Sequence, residues 1–345
     1  MKNQAFIDGN KRIAAILFIY FLQFYGILTR NGKDIISDKT LASLTLLIAE
    51  SNPQEKSTMI DLIIYLVIKR RKFMPEIAEV QTVRETLKKR ILNKKIKEIN
   101  IIYERMIESD LDEFKTILIG KSFQDIQRIG KWLLFDIEDY FLLSHLRMEG
   151  KYFIKTHEEP IAKHEHVIFT FEDGSELRYH DVRKFGKMSL VKKADLYDIE
   201  AIKKQGIEPI DPKLNADYLL NKFRNKHMPI KTALLDQTII SGLGNIYADE
   251  VLFRAGLNPI REAGTIRKKE AEKIVSACNA VISKAIEAGG TTIRSYTSSL
   301  GVTGTFQKEL MVHQQKDKPC KICGTTIEKI KVGGRGTYFC KKCQK

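Results

Sequence analysis

Four cysteines near the C-terminus form the most specific chemical pattern in the sequence. They stand as two Cys-x-x-Cys pairs, Cys320 with Cys323 and Cys340 with Cys343, separated by 16 residues. Four thiolates in two close pairs can surround one Zn²⁺ as a tetrahedron, which leaves no coordination position for a substrate. The spacing therefore predicts one structural zinc ion. The fifth cysteine, Cys278, is expected to be a small buried residue.

The segment between the two cysteine pairs is basic and rich in glycine. It contains Lys329, Lys331 and the run Gly333-Gly334-Arg335-Gly336. Glycines allow a chain to approach a ligand closely, and cationic side chains bind a phosphate backbone. We therefore expect the tip of this zinc-held hairpin to contact a polyanion.

The composition is that of a folded protein, and its net charge favours an anionic partner. The chain has 345 residues, with 58 Lys and Arg against 43 Asp and Glu, which gives a net charge of +15. Residues 316–345 carry +7 of this charge and residues 1–73 carry +5. The length allows roughly two to three domains. Nucleic acid is the first candidate partner and a membrane surface the second.

Hydrophobic periodicity predicts the elements that must position these groups. The apolar stretch 13–28 is interrupted by Gln23 and is shorter than the roughly 20 residues that a membrane span needs, so it predicts a buried helix. Further helices are predicted at 38–50, 54–71, 79–90 and within 215–288, where 242–245 forms a turn between helices. Strands are predicted at 132–137, 140–146, 166–171 and 176–179, with Asp173-Gly174 as a hairpin turn. The predicted fold class is α+β.

From Met74 to Lys345 the sequence resembles the formamidopyrimidine-DNA glycosylases, bacterial repair enzymes that remove oxidised purines. The resemblance rests on the zinc hairpin and six separated motifs: Met74-Pro-Glu-Ile-Ala-Glu-Val80, Arg128-Ile-Gly-Lys131, His145-Leu-Arg-Met-Glu-Gly150, Lys163-His-Glu-His166, Asp181-Val-Arg-Lys-Phe-Gly186 and Gly244-Asn-Ile-Tyr-Ala-Asp-Glu250. It implies a β-sandwich catalytic domain at 74–205, a helical helix-two-turns-helix DNA-binding domain at 206–310 and a zinc-finger hairpin at 311–345.

The resemblance also implies covalent chemistry. Pro75 matches the family's N-terminal nucleophile, whose secondary amine attacks the sugar carbon, displaces the base and forms a protonated imine. Glu76 matches the acid that protonates the sugar ring oxygen. Lys131 matches the residue assigned to the first elimination and Arg335 the residue assigned to the second. Because an Arg is always charged, we expect Arg335 to act first as a phosphate clamp.

Other matched positions imply contacts with extruded, damaged DNA. Met148, Arg183 and Phe185 match the wedge that fills the stack and faces the orphaned cytosine. The matched phosphate-contacting positions are His164, Lys226 and Asn245. The loop 299–305 lies where the family covers the flipped base, and it varies too much to fix the preferred lesion.

Residues 1–73 resemble a different family. Phe6-Ile-Asp-Gly-Asn-Lys-Arg12 is similar to the anion-binding loop of Fic/Doc proteins, whose Gly-Asn turn opens a helix N-terminus toward phosphates. That family has a catalytic His two residues before the Phe, where this sequence has Gln4. We therefore expect a truncated all-α fragment without nucleotidyl transfer activity.

The junction at Met74 bears directly on activity. With residues 1–73 attached, the nitrogen of Pro75 lies in a peptide bond, where resonance removes its nucleophilicity. We predict that the working enzyme starts at Met74 and exposes Pro75. Residues 70–73 can be encoded by AGG AGG AAA TTT, a ribosome-binding sequence before an ATG. A real fusion, a disrupted gene and a mistaken start site all remain open.

Together these features predict a bifunctional DNA glycosylase/AP lyase of base excision repair that removes 8-oxoguanine and formamidopyrimidines and cleaves the strand by β,δ-elimination. The expected partner is double-stranded DNA with oxidised bases or abasic sites. We expect the protein to be a monomer in the bacterial cytoplasm, associated with the nucleoid. One alternative is a catalytically silent lesion-binding protein with a blocked Pro75. The other is an endonuclease VIII-like enzyme for oxidised pyrimidines, against which Arg183, Phe185 and the motif at 74–79 argue.

Overall fold

The structure is a computed structural model that describes residues 29–30, 33–34, 75–291 and 304–345. The chain divides into two units, Met1–Lys72 and Phe73–Lys345. In the first unit the described residues form a short antiparallel pair, Thr29–Arg30 with Lys33–Asp34, which the all-helical expectation did not include. The predicted helices at 13–28, 38–50 and 54–71, the anion-binding loop with Gln4, and residues 299–303 lie outside the described residues.

Two four-stranded antiparallel sheets form the first part of the second unit. The strands are β1 (Ile96–Ile101), β2 (Asp125–Ile129), β3 (Trp132–Ile137), β4 (Tyr140–His145), β5 (Lys151–Thr156), β6 (Glu165–Phe171), β7 (Ser175–His180) and β8 (Lys187–Lys192). One sheet has the order β8-β4-β3-β2 and the other the order β1-β6-β7-β5. The four predicted strands are confirmed, since they are β3, β4, β6 and β7 to within one residue at each end.

The two sheets enclose one hydrophobic core. Phe135 of β3 and Phe169 of β6 both contact Phe123, at ring-centroid distances of 5.1 and 6.0 Å. Inward-facing residues of both sheets belong to the same buried cluster. The predicted β-sandwich is therefore confirmed.

The described helices of the second unit come before, between and after the strands in the chain. They are α1 (Ile77–Ile91), α2 (Leu111–Leu118), α3 (Glu200–Lys203), α4 (Ala216–Phe223), α5 (Ile230–Leu235), α6 (Asn245–Ala255) and α7 (Lys268–Glu287). Helices α4 to α7 share a second core, which includes the buried Cys278, and burial raises the pKa of this thiol to about 12. In the described part of the chain, the helices lack the combination of length and apolarity that a membrane crossing requires.

Helix α1 joins the two cores. Its first residues, Ile77 and Ala78, pack with helices α4 to α7, whereas Val80, Val83 and Leu87 pack with the sandwich. The sequence placed the start of this helix at residue 79, two residues late. The helix starts earlier because the carboxylate of Glu79 accepts a hydrogen bond from the backbone N–H of Glu76 at 3.0 Å, which satisfies a free donor at the helix start.

The chain ends in a two-stranded hairpin of β9 (Glu328–Val332) and β10 (Arg335–Phe339). Val332 pairs with Arg335, so Gly333 and Gly334 form a two-residue turn. Both glycines have positive φ, 52° and 78°, as the tightest hairpin turns require. Arg335 is therefore the first residue after the turn, at the hairpin tip as predicted.

Candidate active site and nucleic-acid interface

Glu76 lies where the N-terminal ends of two helices meet. It precedes α1 in the chain, and its carboxylate accepts hydrogen bonds from Ile246 N at 2.9 Å and Tyr247 N at 3.4 Å, in the first turn of α6. The backbone N–H of Ile77 donates to Gly242 O at 3.0 Å, which fixes the two helix starts side by side. The folded chain therefore places the predicted acid by contacts from the loop before α6 and from the first turn of that helix.

The glycine that precedes α6 makes room for this carboxylate. A Cβ atom built on Gly244 would lie 2.2 Å from Cδ of Glu76, far inside van der Waals contact. A residue with any side chain at this position would displace the carboxylate. The glycine that opens the motif at 244–250 therefore has a direct role in positioning Glu76.

Burial pushes Glu76 and Lys131 toward their neutral forms. Desolvation raises the pKa of Glu76 to about 7; the charge of Lys131 opposes this rise and the charge of Glu79 adds to it. Desolvation likewise lowers the pKa of Lys131, against the attraction of Glu76 and Glu79. A carboxyl that holds its proton near neutral pH and an amine that readily gives one up are suited to proton transfer.

Lys131 stands in the two-residue turn between β2 and β3. Its Nζ donates to Leu243 O at 3.0 Å, in the loop that precedes α6. Glu208 holds the turn in place, because its carboxylate accepts from Nη2 and Nη1 of Arg128 at 2.7 and 2.8 Å and from Gly130 N at 2.7 Å. Lys131 is thus fixed by the sandwich on one side and by the helical part on the other.

A cavity of about 230 Å³ brings Lys131 together with Arg335 and Asn245. Arg335 is exposed at its rim, and Asn245 donates from Nδ2 to Gly336 O at 3.1 Å, which ties α6 to the hairpin. His145 also lines the cavity. Burial and the charges of Arg147 and Lys131 lower the pKa of His145 to about 3, so its ring is neutral. Its Nδ1 accepts a hydrogen bond from Arg147 N at 2.9 Å, so the ring carries its proton on Nε2.

The predicted wedge residues form a second cluster, in which Met148 and Arg183 are half-buried and Phe185 is exposed. The guanidinium of Arg183 contacts Sδ of Met148 at 3.0 Å and lies over the ring of Phe185, 4.7 Å from its centroid. Phe185 is 49% exposed, although a phenylalanine is usually buried. The fully buried Asp181 shapes this loop by accepting from the backbone N–H groups of residues 183, 185 and 186.

The two other predicted phosphate-contacting residues lie in loops. His164 has a positive φ of 77° and packs against the rings of His166 and His180 at centroid distances of 6.2 and 5.8 Å. Lys226 lies between α4 and α5, where its carbonyl accepts from Gly264 N at 2.9 Å. The structure places both side chains at partly exposed positions, as a role in binding phosphate requires.

The four predicted zinc ligands converge at the base of the hairpin. Their sulfur atoms lie within 4.8 Å of one another, and two of the pairs are 3.9 Å (Cys320–Cys343) and 3.4 Å (Cys323–Cys340) apart. A tetrahedral Zn²⁺ with bonds of about 2.3 Å requires sulfurs about 3.8 Å apart, so the four thiols fit one zinc ion. With all four ligands supplied by protein, its role is structural.

Sequence reasoning missed several charged residues that hold this site. Glu79 accepts from Tyr247 Oη at 2.7 Å and from Thr291 N and Oγ1 at 2.8 Å each. Glu250 accepts from the backbone of residues 311–313 at 2.8–3.0 Å, and Asp249 binds Lys231 and His313. Glu79 lies in the motif at 74–80, and Asp249 and Glu250 lie in the motif at 244–250. Their place in these motifs is the sequence signal that could have identified them. Lys231 and Glu208 stand outside them.

Three family models match separate parts of the chain. The formamidopyrimidine-DNA glycosylase N-terminal domain matches residues 74–188, and the H2TH domain of the same family matches residues 205–297. A zinc finger found in FPG and IleRS matches residues 317–345, which include the four clustered thiols. The C-terminal cysteines therefore form a zinc finger with one structural zinc.

Relatives and solved structures match the same four-fifths of the chain. A formamidopyrimidine-DNA glycosylase from Bacillus licheniformis is 47% identical over 274 residues, covering 79% of this chain and 100% of the relative. One from Oceanobacillus iheyensis is 46% identical over 273 residues, covering 79% and 98%. Lactococcus lactis Fpg in complex with DNA containing N7-benzyl-Fapy-dG is 42% identical with a TM-score of 0.74, covering 79% of this chain and 100% of that one.

Proposed function

The chain belongs to the formamidopyrimidine-DNA glycosylase family, DNA glycosylases of base excision repair, and we propose that it removes oxidised purines and then cleaves the strand as an AP lyase. The observation that carries the proposal is the environment of Glu76. This carboxyl directly follows Pro75, is buried, and has its pKa raised to about 7. A proton donor of this kind beside a potential amine nucleophile is what imine formation at a sugar carbon needs.

In the first step, the amine of Pro75 attacks C1′ of the damaged nucleotide. The new N–C1′ bond forms, the bond from C1′ to the base breaks, and the base leaves with that electron pair and takes up the proton that the Pro75 nitrogen loses. Glu76 donates its proton to the ring oxygen O4′, the electron pair of the Pro75 nitrogen forms the C1′=N bond as the C1′–O4′ bond breaks, and a positively charged iminium ion remains. The pKa of about 7 keeps a large fraction of Glu76 protonated at neutral pH.

Two eliminations then cleave the strand. Loss of a proton from C2′ breaks the C3′–O bond and releases the 3′ phosphate, and we assign this proton transfer to Lys131, whose pKa burial lowers. In the second elimination the C4′–H bond and the C5′–O bond break, and the 5′ phosphate leaves with the C–O electron pair. Arg335, at the cavity rim, binds the leaving phosphate.

The exposed wedge supports binding to a distorted duplex. Met148 and Phe185 present apolar surface that can fill the space of an extruded nucleotide, and Arg183 supplies donors for the unpaired partner base. His164, Lys226 and Asn245 are proposed phosphate contacts. L. lactis Fpg has been solved with DNA containing an abasic site, which supports damaged DNA as the partner here too.

The proposal requires Pro75 as the first residue of the active chain. Its nitrogen is otherwise part of the Met74–Pro75 peptide bond. The length of the relatives supports a start here, because the B. licheniformis enzyme is matched over its whole length by 79% of this chain and the family match begins at residue 74. We further propose a monomer with domains at 74–205, 206–310 and 311–345.

Borohydride trapping tests the proposal. A chain beginning at Pro75 is mixed with duplex DNA containing 8-oxoguanine opposite cytosine, and borohydride reduces any imine to a stable protein–DNA adduct. We expect an adduct with the lesion duplex and a much weaker one with undamaged DNA. Stronger trapping on an oxidised pyrimidine would favour an endonuclease VIII-like preference, and lesion binding without any adduct would favour a silent lesion-binding protein.

A further inference from the structure

A fully buried lysine lies between the helical core and the zinc hairpin. Lys231, the second residue of α5, is 0% exposed, which is rare for lysine. Its Nζ forms an ion pair with Oδ1 of Asp249 at 2.7 Å and donates to Gly336 O at 3.1 Å and Thr337 Oγ1 at 2.8 Å. One ammonium group therefore joins α5, α6 and β10.

These contacts fall on the residues directly after Arg335. Thr337 Oγ1 donates to Arg335 O at 3.1 Å, so the hydroxyl bound by Lys231 also holds the backbone of Arg335. Tyr338 N donates to Asp249 Oδ2 at 3.3 Å, further along the same strand. The beginning of β10 is thus fastened to α6, the helix whose first turn binds Glu76.

Zinc cannot fix this end of the hairpin by itself. Cys340 follows Arg335 by five residues, which in an extended strand is about 17 Å. An isolated two-stranded hairpin is marginally stable in water, so its far end needs another anchor. Lys231 provides that anchor, and the tip also lies against α5, where a Cβ on Gly333 would come within 2.5 Å of Thr232 Oγ1.

We propose that Lys231 is a positioning residue, which acts through Asp249 and β10 to hold Arg335 at the cavity for the second elimination. This inference rests on the proposed lyase function. Lys231 has no exposed surface with which to bind DNA, so it acts on the reaction through Arg335. Its removal should slow the second elimination and spare imine formation and the first elimination, which depend on Pro75, Glu76 and Lys131.

The test uses DNA with an abasic site and chains beginning at Pro75, and separates the products of the two eliminations. The first elimination leaves an unsaturated aldehyde on the 3′ end and the second leaves a 3′ phosphate. For Lys231→Met we expect the rate of the second elimination to fall about 10- to 100-fold, with trapping and the first elimination unchanged. Lys268→Met, at an exposed lysine paired with Asp217, is the matched control and should leave both rates unchanged.

Two further variants keep the test decisive. Lys231→Met leaves the buried carboxylate of Asp249 without its ammonium, so Lys231→Met/Asp249→Asn, which removes both charges, is compared with it for bound zinc and melting temperature. Arg335→Gln tests the route of the effect. If Lys231 acts through Arg335, Lys231→Met adds no further loss in the Arg335→Gln background.

The outcomes separate this inference from the function on which it rests. Failure of the unsubstituted Pro75 chain to trap or cleave would overturn the proposed function. With that chain active, an unchanged product ratio in the charge-neutral pair would overturn the role of Lys231. A further loss of the second elimination when Lys231→Met is added to Arg335→Gln would also overturn it. So would the joint loss of zinc and of the first elimination. Either result would mean that Lys231 does not act through the position of Arg335.

Discussion

At the scale of single residues, the proton on Glu76 should control the pH dependence of imine formation. Because burial raises its pKa to about 7, above the ordinary value of 4.5, the protonated fraction falls as pH rises through 7. The rate of imine formation by a chain beginning at Pro75, followed by borohydride trapping, should therefore decline above about pH 7. Glu79→Gln removes a negative charge that favours the protonated form, so this decline should move to lower pH in a pH–rate profile.

Thr291→Val is the matched control for this substitution. It removes a hydroxyl that donates to Glu79 at 2.8 Å and leaves the charge of Glu79 in place. The decline should then stay near pH 7. If Glu79→Gln left the profile where it was, the charge of Glu79 would have no part in setting the acidity of Glu76.

The lack of a side chain at Gly244 should be essential for the position of Glu76. Gly244→Ala would place Cβ 2.2 Å from Cδ of Glu76 and force the carboxylate out of its site at the start of α6. We expect imine formation to be lost and stability to fall by about 1–3 kcal/mol, as for other overpacked sites. Trapping yield and denaturant unfolding measure the two effects.

Glu76→Ala supplies the control for the steric argument. Without the carboxylate, the added methyl group has space, so Gly244→Ala should cost much less stability in the Glu76→Ala background than in the unsubstituted chain. An equal cost in both backgrounds would locate the strain elsewhere in the loop before α6.

The sequence could reveal side chains with specific chemistry more readily than the residues that hold them. Cys320 and its three partners are recognisable by spacing, and Glu76 and Lys131 by motif. Lys231 could not be recognised, because a lysine in a short helix usually faces water and its acceptors, Gly336 and Thr337, are more than 100 residues away. Glu208 is similar, since its partner Arg128 is 80 residues distant.

At the scale of elements, the sequence predicted the four central strands and missed the four edge strands. Strands β3, β4, β6 and β7 lie inside their sheets and contain long apolar runs. The missed strands β1, β2, β5 and β8 are edges, where charged residues are favoured because they prevent pairing with other chains. In β1 a register shift between Ile96 and Glu98 further disrupts the alternation of buried and exposed residues.

The zinc finger should be required for DNA binding and dispensable for the rest of the fold. Cys340→Ala removes a buried ligand, so bound zinc should fall from one per chain to none. The hairpin would then no longer present its cationic residues to phosphate. We expect weaker binding to DNA and a shallower slope of log Kd against log salt concentration, because each lost phosphate contact reduces that slope by about 0.9.

Cys278→Ala is the matched control, since this buried cysteine lies on α7 in a different core. It should keep both zinc and the salt slope. Circular dichroism should show the helical signal retained in Cys340→Ala, because Cys340 packs in a small separate cluster with Phe253, Val312 and Ile327. Global unfolding of Cys340→Ala would contradict this independence of the two cores.

At the scale of the whole molecule, Met74 separates a basic N-terminal segment from the part of the chain that carries the proposed catalytic groups. Residues 1–73 hold +5 of the +15 net charge, and the glycosylase match begins at residue 74. Of the remaining +10, +7 lies within residues 316–345. Outside its zinc finger, the part of the chain from Met74 onward is therefore nearly balanced in charge. Its long-range electrostatic attraction for DNA is concentrated at the hairpin beside the cavity.

The 345-residue chain should bind damaged DNA without forming an imine. Its Pro75 nitrogen is an amide, whose electron pair is delocalised into the carbonyl of Met74, whereas a chain beginning at Pro75 carries a free secondary amine. On duplex DNA with an abasic site, borohydride should trap the shorter chain and leave the longer one free.

The intact mass of the longer chain, measured before and after the reaction, must show that it was not cleaved near residue 74. Glu76→Gln in the shorter chain keeps the amine and removes the acid, so it distinguishes a missing nucleophile from a missing proton. Equal trapping by an intact 345-residue chain would mean that another amine forms the adduct, and Lys131 would then be the first to test, since burial lowers its pKa.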